Sequence, residues 1–354
     1  MRFAWFMKWR KAPPIQLKTL NSELLTKFKM LSRVADSLYW MSRYLERVEH
    51  TARVVGVNLS MALEQSPEAA NRRWQRVLGG LRARPPHSAG FHDASEVAYW
   101  LIFNQTNHNS LASCVHLARD NARQVREGIS VEMWEHINRL YLRVREAREA
   151  GAWNENQRHH LSAIIETCHM IQGVTDSTLS HGEGWHFVQV GRYIERTSGT
   201  AKLLDVQFSE LYNPNLRGKA RRDESDTYLD WVALLSSCIA FDAYRKVHTA
   251  QLLPERIAEF LVFNGEFPHS VSFSAQELEN SLKAIGKITR SHRATRVNNV
   301  AHRLRSTLRF SQPTDLLLDG LSSHLRYVLD GCGQIHHAIH QAYIAYPVEQ
   351  ELSP

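Results

Sequence analysis

Apolar residues recur at alternating spacings of four and three through Val34, Leu38, Met41, Leu45, Val48, Ala52, Val55, Leu59 and Ala62. This heptad-like stripe predicts one long helix, starting at Leu31, with a face for bundle neighbours. Pro67 lies past its end, and Gly79-Gly80 to Gly90, with Pro85-Pro86, reads as a loop. The helical pattern then predicts helices from about Ser95, from Ser110 past Arg126, over Val131 to about Glu149, and over Leu161 to Ile171, ending near Gly173. Gly151 to Asn156 reads as a loop, and so does Asn213-Pro214 to Asp226. The apolar run Trp231 to Phe241, bounded by Asp230 and Asp242, predicts a buried core helix too short to span a bilayer. A closing helix carries Leu321 to Ile344. No alternating strand pair with a hairpin turn is visible, so the fold class is all-α.

One segment occurs twice. Arg43-Tyr44-Leu45-Glu46-Arg47 returns as Arg192-Tyr193-Ile194-Glu195-Arg196, 149 residues later. From Arg43–Val55 to Arg192–Leu204, six of thirteen positions are identical, and Arg53/Lys202 is one of the conservative pairs. Further on, Val97–Asn104 matches Ile257–Asn264, and Ser110 matches Ser270, both at an offset of 160. A duplicated helical bundle is expected, with two related halves of long helices sharing or abutting one core. Its divisions are a basic N-terminal extension over 1–29, a first repeat over 30–172, a second over 173–346, and a tail over 347–354.

Composition narrows the class. The net charge of +7 is concentrated at the start, where residues 1–30 hold seven Lys/Arg against Glu23 alone. That extension reads as a disordered tail or as sequence preceding a true start at Met30, and its basic-aromatic mixture suits anionic lipid or nucleic acid. The four cysteines are scattered without a C-x-x-C, which fits buried thiols in a reducing cytoplasm. His336 and His340 share a helix face, but no H-E-x-x-H accompanies them, and no metal site or cofactor is expected. P-loop, G-x-G-x-x-G and G-x-S-x-G patterns are missing as well.

The charged positions carry the candidate chemistry. Arg43, Glu46, Arg47 and His50 share a helix face set away from the Leu45/Val48/Ala52 stripe. Glu46 and Glu195 are the candidate acid/base pair. Arg43, Arg47, Arg192 and Arg196 are candidates for holding a carboxylate or phosphate, as are the Arg119/Arg123/Arg126 face and Asn104. Other readings stay open: ordinary i,i+3 and i,i+4 pairs, each contributing roughly 0.2–0.5 kcal/mol, or bridges between the two halves. The basic stretch Arg290 to Arg309 lacks a groove-reading element or stacking platform, so protein docking or a phosphate-facing surface is at least as good a reading as nucleic acid.

Met30-Leu31-Ser32-Arg33-Val34-Ala35-Asp36-Ser37-Leu38-Tyr39-Trp40-Met41-Ser42-Arg43-Tyr44-Leu45-Glu46-Arg47 resembles the opening of the bacterial alpha-E proteins, a helical family also catalogued as a domain of unknown function. The Arg119–Arg126 segment and Gly191–Arg196 are similar to its recurring motifs. The resemblance covers roughly Met30 to Ile344. It implies association with circularly permuted ATP-grasp ligases and transglutaminase-like peptidases, in systems that make or modify peptides. It also implies a role as ligase partner or as binder of an acidic or carboxylate-bearing peptide. ATP would then be handled by the partner, and Glu46 and Glu195 with their flanking arginines are the first site candidates.

Overall fold

The structure, a computed structural model, describes residues 30, 32–61, 67–85, 94–149, 152–211, 224–248, 251–290, 293–311 and 320–344. Among them are thirteen α-helices and no strand. The first six are α1 (Ser32–Met61), α2 (Pro67–Gly80), α3 (Ala94–Phe103), α4 (Leu111–Gln124), α5 (Val131–Glu149) and α6 (Gln157–Thr178). Then come α7 (Glu183–Leu211), α8 (Glu224–Ser237), α9 (Phe241–His248), α10 (Pro254–Phe263), α11 (Val271–Thr289), α12 (Ala294–Phe310) and α13 (Leu321–Ile339). A π-helical turn, His340–Ile344, continues α13. The all-α expectation holds. The N-terminal extension, Leu31, Ala62, the C-terminal tail and most of the Asn213–Asp226 loop lie outside the described residues.

Several boundaries differ from the sequence reading, each for a local reason. Gly79 and Gly80 end α2 rather than open a loop. A Cβ on Gly80 would stand 2.7 Å from Leu203 Cδ2, so the glycine lets α2 lie close on α7. Arg82, at φ 48°, then turns the chain, and the Ala83 N–H bonds back to the Leu78 carbonyl at 2.9 Å. Helix α4 stops at Gln124, and Arg126 falls in a single 3-10 turn. Gly173 lies inside α6, which continues to Thr178. The Trp231–Phe241 run is split between α8 and α9 at Ile239, whose φ is 58°.

Ser110, where the sequence starts a helix, and its match Ser270 cap α4 and α11, accepting the Ser113 and Phe273 N–H groups. Just upstream, Asn104 Oδ1 accepts the Thr106 and Asn107 N–H groups, and Asn264 Oδ1 accepts those of Glu266 and Phe267. The same turn is thus built at both places.

A buried apolar cluster runs from Ala35 in α1 to Ile339 in α13. At its centre α1 and α7 run side by side in one direction. Leu38 lies by Gly184, Tyr39 and Ser42 by Gly191, and His50 by Gly199. Ser42 donates to the Val188 carbonyl at 2.6 Å. Their register equals the offset of the repeated segment, so each Arg-Tyr-x-Glu-Arg faces the other. All four cysteines are free and buried, as their spacing suggests. Among the described residues no helix is long and apolar enough to cross a membrane.

Gly191 sets how close the two helices come, since a Cβ there would collide with the Tyr39 carbonyl oxygen and stand 3.0 Å from Ser42 Cβ. Gly191→Ala should lower unfolding stability by roughly 1–3 kcal/mol in chemical denaturation. Gly173→Ala, with nothing within 4 Å, should leave stability unchanged or raise it by about 0.4–1 kcal/mol.

Candidate functional site

The helical period fixes where each charge of the repeated segment points. Glu and Arg at successive positions are about 100° apart on a helix. With α1 and α7 in parallel register, the Glu of each copy then meets the Arg of the other. Arg196 forks Glu46, with Nε–Oε1 at 2.6 Å and Nη2–Oε2 at 3.0 Å. Arg47 Nε reaches Glu195 Oε1 at 2.7 Å, and Arg43 Nε reaches Glu195 Oε2 at 2.9 Å. Glu46 is 4% exposed and Glu195 7%, so these are buried pairs and not surface pairs along one helix. The charged face of α1 is itself interior, packed against α7, whereas Leu45 is only half-buried. That corrects the expectation of a charged face set apart from the core.

Further groups complete the arrangement. Arg43 lies over the Trp40 ring at 4.7 Å and donates to Tyr39 Oη at 3.3 Å. Arg47 Nη1 donates to Asn109 Oδ1 at 2.7 Å. Arg192 does not mirror Arg43; it pairs with Asp176 at 3.5 Å. Glu49, which the sequence reading did not single out, is bound by Arg53 at 2.7 Å, His169 at 3.1 Å and Gln172 at 3.0 Å. A cavity of about 50 Å³ opens beside the pairs, and Glu46 and Glu195 both line it. The two repeated carboxylates therefore share one cleft, with Arg47, Arg196 and His50 also in its wall.

Electrostatics separate the carboxylates. Burial alone would raise Glu195, but Arg47 and Arg43 outweigh it and hold its carboxyl far below the usual range. Burial is also the largest influence on Glu46; with Glu49 beside it, the carboxyl is pushed up against the opposing pull of Arg196. His50 is pushed down to about 4 by burial and by Lys202. Lys202 itself is lowered by burial, against the attraction of Glu195.

The remaining sequence candidates lie elsewhere. Arg119 stacks over Tyr141 at 4.5 Å and donates to Asn138, and Arg126 lies over Trp134 at 5.1 Å. Arg123 is exposed and approaches Asp120 at 3.5 Å. Arg119 and Arg126 therefore pack against α5, and none of the three arginines lines the cavity. Asn104 holds the turn before α4. His336 Nδ1 bonds Tyr39 Oη at 2.9 Å. In the basic stretch around α12, Arg305 is drawn to Glu279 at 3.4 Å, whereas Arg293, just before the helix, and Arg296, Arg303 and Arg309 on it are exposed. Lys202, Asn107 and His269 also line the cavity and were missed as site residues. Only Lys202 had a sequence signal, its match to Arg53 in the repeat.

Fold and site together define a helical bundle closed by a reciprocal pair of Glu-Arg motifs. The chain belongs to the Alpha-E family, described as a predicted alpha-helical domain with a conserved ER motif, whose profile matches residues 30–344. Glu46-Arg47 and Glu195-Arg196 are two such dipeptides, brought together here. The chain is 24% identical over 321 residues to an uncharacterized protein of Mycobacterium bovis, covering 84% of this chain and 35% of that one. An uncharacterized protein of Mycobacterium tuberculosis is 23% identical over the same shares. The chain thus spans about a third of the length of these curated relatives. No solved structure matches it.

Two outcomes follow from the burial of these charges. Glu195→Gln leaves Arg43 and Arg47 without their anion and should cost roughly 3–5 kcal/mol in denaturant unfolding. His50 faces Lys202, Arg53, Glu195 and Glu49, and its folded value of about 4 lies below the ordinary imidazole value of 6.5. The unfolded chain therefore binds the extra proton first, and this contribution to stability is lost as pH falls from 6.5 towards 4. Between pH 7.5 and 5.0 the His50→Asn variant should lose about 2 kcal/mol less stability than wild type; equal losses would remove His50 from the effect.

Proposed function

We propose that this chain is the helical component of an ATP-grasp-dependent system that forms or modifies peptide amide bonds. In it the chain acts as ligase partner or substrate-binding subunit, and bond formation takes place elsewhere. Its partners are a circularly permuted ATP-grasp ligase and a transglutaminase-like protein, and its ligand is an acidic or carboxylate-bearing peptide. The assembly works in the cytoplasm, a placement supported by four buried free thiols. The ATP-grasp connection rests on the resemblance of the Met30–Arg47 and Gly191–Arg196 segments to alpha-E proteins.

One observation favours binding over catalysis by this chain: both repeated glutamates are already engaged by arginines of the same fold. Glu195, clamped by Arg43 and Arg47, stays ionised and has no proton to give. Both oxygens of Glu46 are held by Arg196. The parallel register of α1 and α7 also supports descent of the two halves from one duplicated unit, with the Glu-Arg pairs as the seam.

The test is reconstitution. The ATP-grasp ligase encoded in the same genome should elute with the chain in size-exclusion chromatography. It should release ADP and form amide at least tenfold faster with the chain than without it. Glu195→Gln should reduce that stimulation only in proportion to the folded protein lost. A ligase indifferent to the chain contradicts the assembly. A folded Glu195→Gln variant with turnover reduced by orders of magnitude contradicts the structural role of the glutamate.

A further inference from the structure

The cavity beside the α1–α7 pairs is lined by hydrogen-bond donors that the fold leaves unused. Its wall holds four cations, Arg47, Arg53, Arg196 and Lys202, against three carboxylates, Glu46, Glu49 and Glu195. Each of the three arginines is bound to one of those carboxylates. Lys202 Nζ has no hydrogen bond or ion pair among the described residues. The Asn107 side-chain nitrogen is buried without a partner, and so is His50 Nε2. The orientation of the Asn107 amide is set by its oxygen, which accepts the Asn109 N–H at 3.1 Å. The His50 ring is held against Gly199, where a Cβ would stand 3.3 Å from it. Two buried nitrogens left unpaired around one cavity, beside a surplus cation, mark a place prepared for an anion.

We propose that this cavity binds a single carboxylate group, with the Lys202 ammonium as counter-ion and the Asn107 amide and the His50 Nε2–H tautomer as donors. The inference deepens the binding reading above and rests on it for the identity of the larger ligand. Charge and size select the group. The lining carries one positive charge in excess, which a carboxylate neutralises and a phosphate dianion overshoots. A cavity of about 50 Å³ takes one small head group, well below the roughly 300–1,000 Å³ of sites that enclose a whole drug-sized ligand. The remainder of the ligand therefore stays outside. The Glu-Arg pairs keep the wall in place, and Lys202, the Lys/Arg counterpart of Arg53 in the repeat, supplies the recognition.

Titration of the full chain with sodium acetate, at ionic strength matched with sodium chloride, tests the site. Saturable millimolar binding by calorimetry is expected. Lys202→Met should weaken it at least tenfold, Lys202→Arg should restore part of it, and Arg126→Met should leave it unchanged. No saturable binding, equal binding of chloride or inorganic phosphate, or unaltered affinity in a folded Lys202→Met variant overturns the proposal. Should Lys202→Met fail to fold, the imidazole resonances of His50 in the wild-type chain provide the readout. A saturable shift with acetate supports the site, and no shift overturns it. Acetate binding by a chain to which the ligase is indifferent keeps the site and removes the ligase reading. A ligase that needs the chain, with no acetate bound, does the reverse.

Discussion

The exchange of glutamate and arginine between α1 and α7 is the constraint on which the rest of the structure depends. Burying a carboxylate and a guanidinium is costly, and the cost is offset only when the two meet in good geometry. Here each Glu reaches the Arg of the other helix at 2.6 to 2.7 Å. That geometry requires parallel helices in one register and close approach, which Gly191 and Gly199 permit by leaving room for Tyr39, Ser42 and His50. Charge, register and glycine placement therefore depend on one another. An apolar seam of the same area tolerates sliding; this one does not, because a shift of one residue leaves Glu46, Glu195 and Arg196 buried without their partners.

The helical class was legible from the spacing of apolar residues, and the start of α4 from Ser110. Boundaries that depend on a neighbour were not. Gly79-Gly80 reads as a loop until Leu203 is seen packed against it. Gly173 reads as a stop, yet its helix continues to Thr178. The repeat exposed the central pair, because Arg and Glu recurring beside a stripe kept in both copies need a reason beyond the stripe. Their partners were hidden, since i,i+3 and i,i+4 spacing fits pairing along one helix as well as pairing between two. Glu49, Asn107 and His269 carried no signal at all; the first is brought to His169 and Gln172 of α6, and the other two to the cavity, by packing alone.

A division of labour follows. The glutamates most prominent in the sequence hold the bundle together, with Glu195 kept ionised and Glu46 forked by Arg196. The unpaired side-chain nitrogens of His50 and Asn107 stand beside them at the cavity, with Lys202, which makes no ion pair among the described residues. A motif shared by a family is therefore compatible with a structural part for its own side chains and a recognition part for their neighbours. The exposed arginines of α12 and the aromatic-stacked Arg119 and Arg126 belong to other surfaces.

The central claim is that the Glu-Arg pairs are cross-helix braces, and a double-mutant cycle on the one-to-one pair Glu46–Arg196 measures it most directly. Unfolding free energies would be compared for wild type, Glu46→Gln, Arg196→Met and the double variant. The brace predicts a coupling of roughly 1–3 kcal/mol, with the double variant less destabilised than the sum of the singles because neither partner is left buried alone. Additive losses, with coupling within about 0.3–0.5 kcal/mol of zero, would contradict the account.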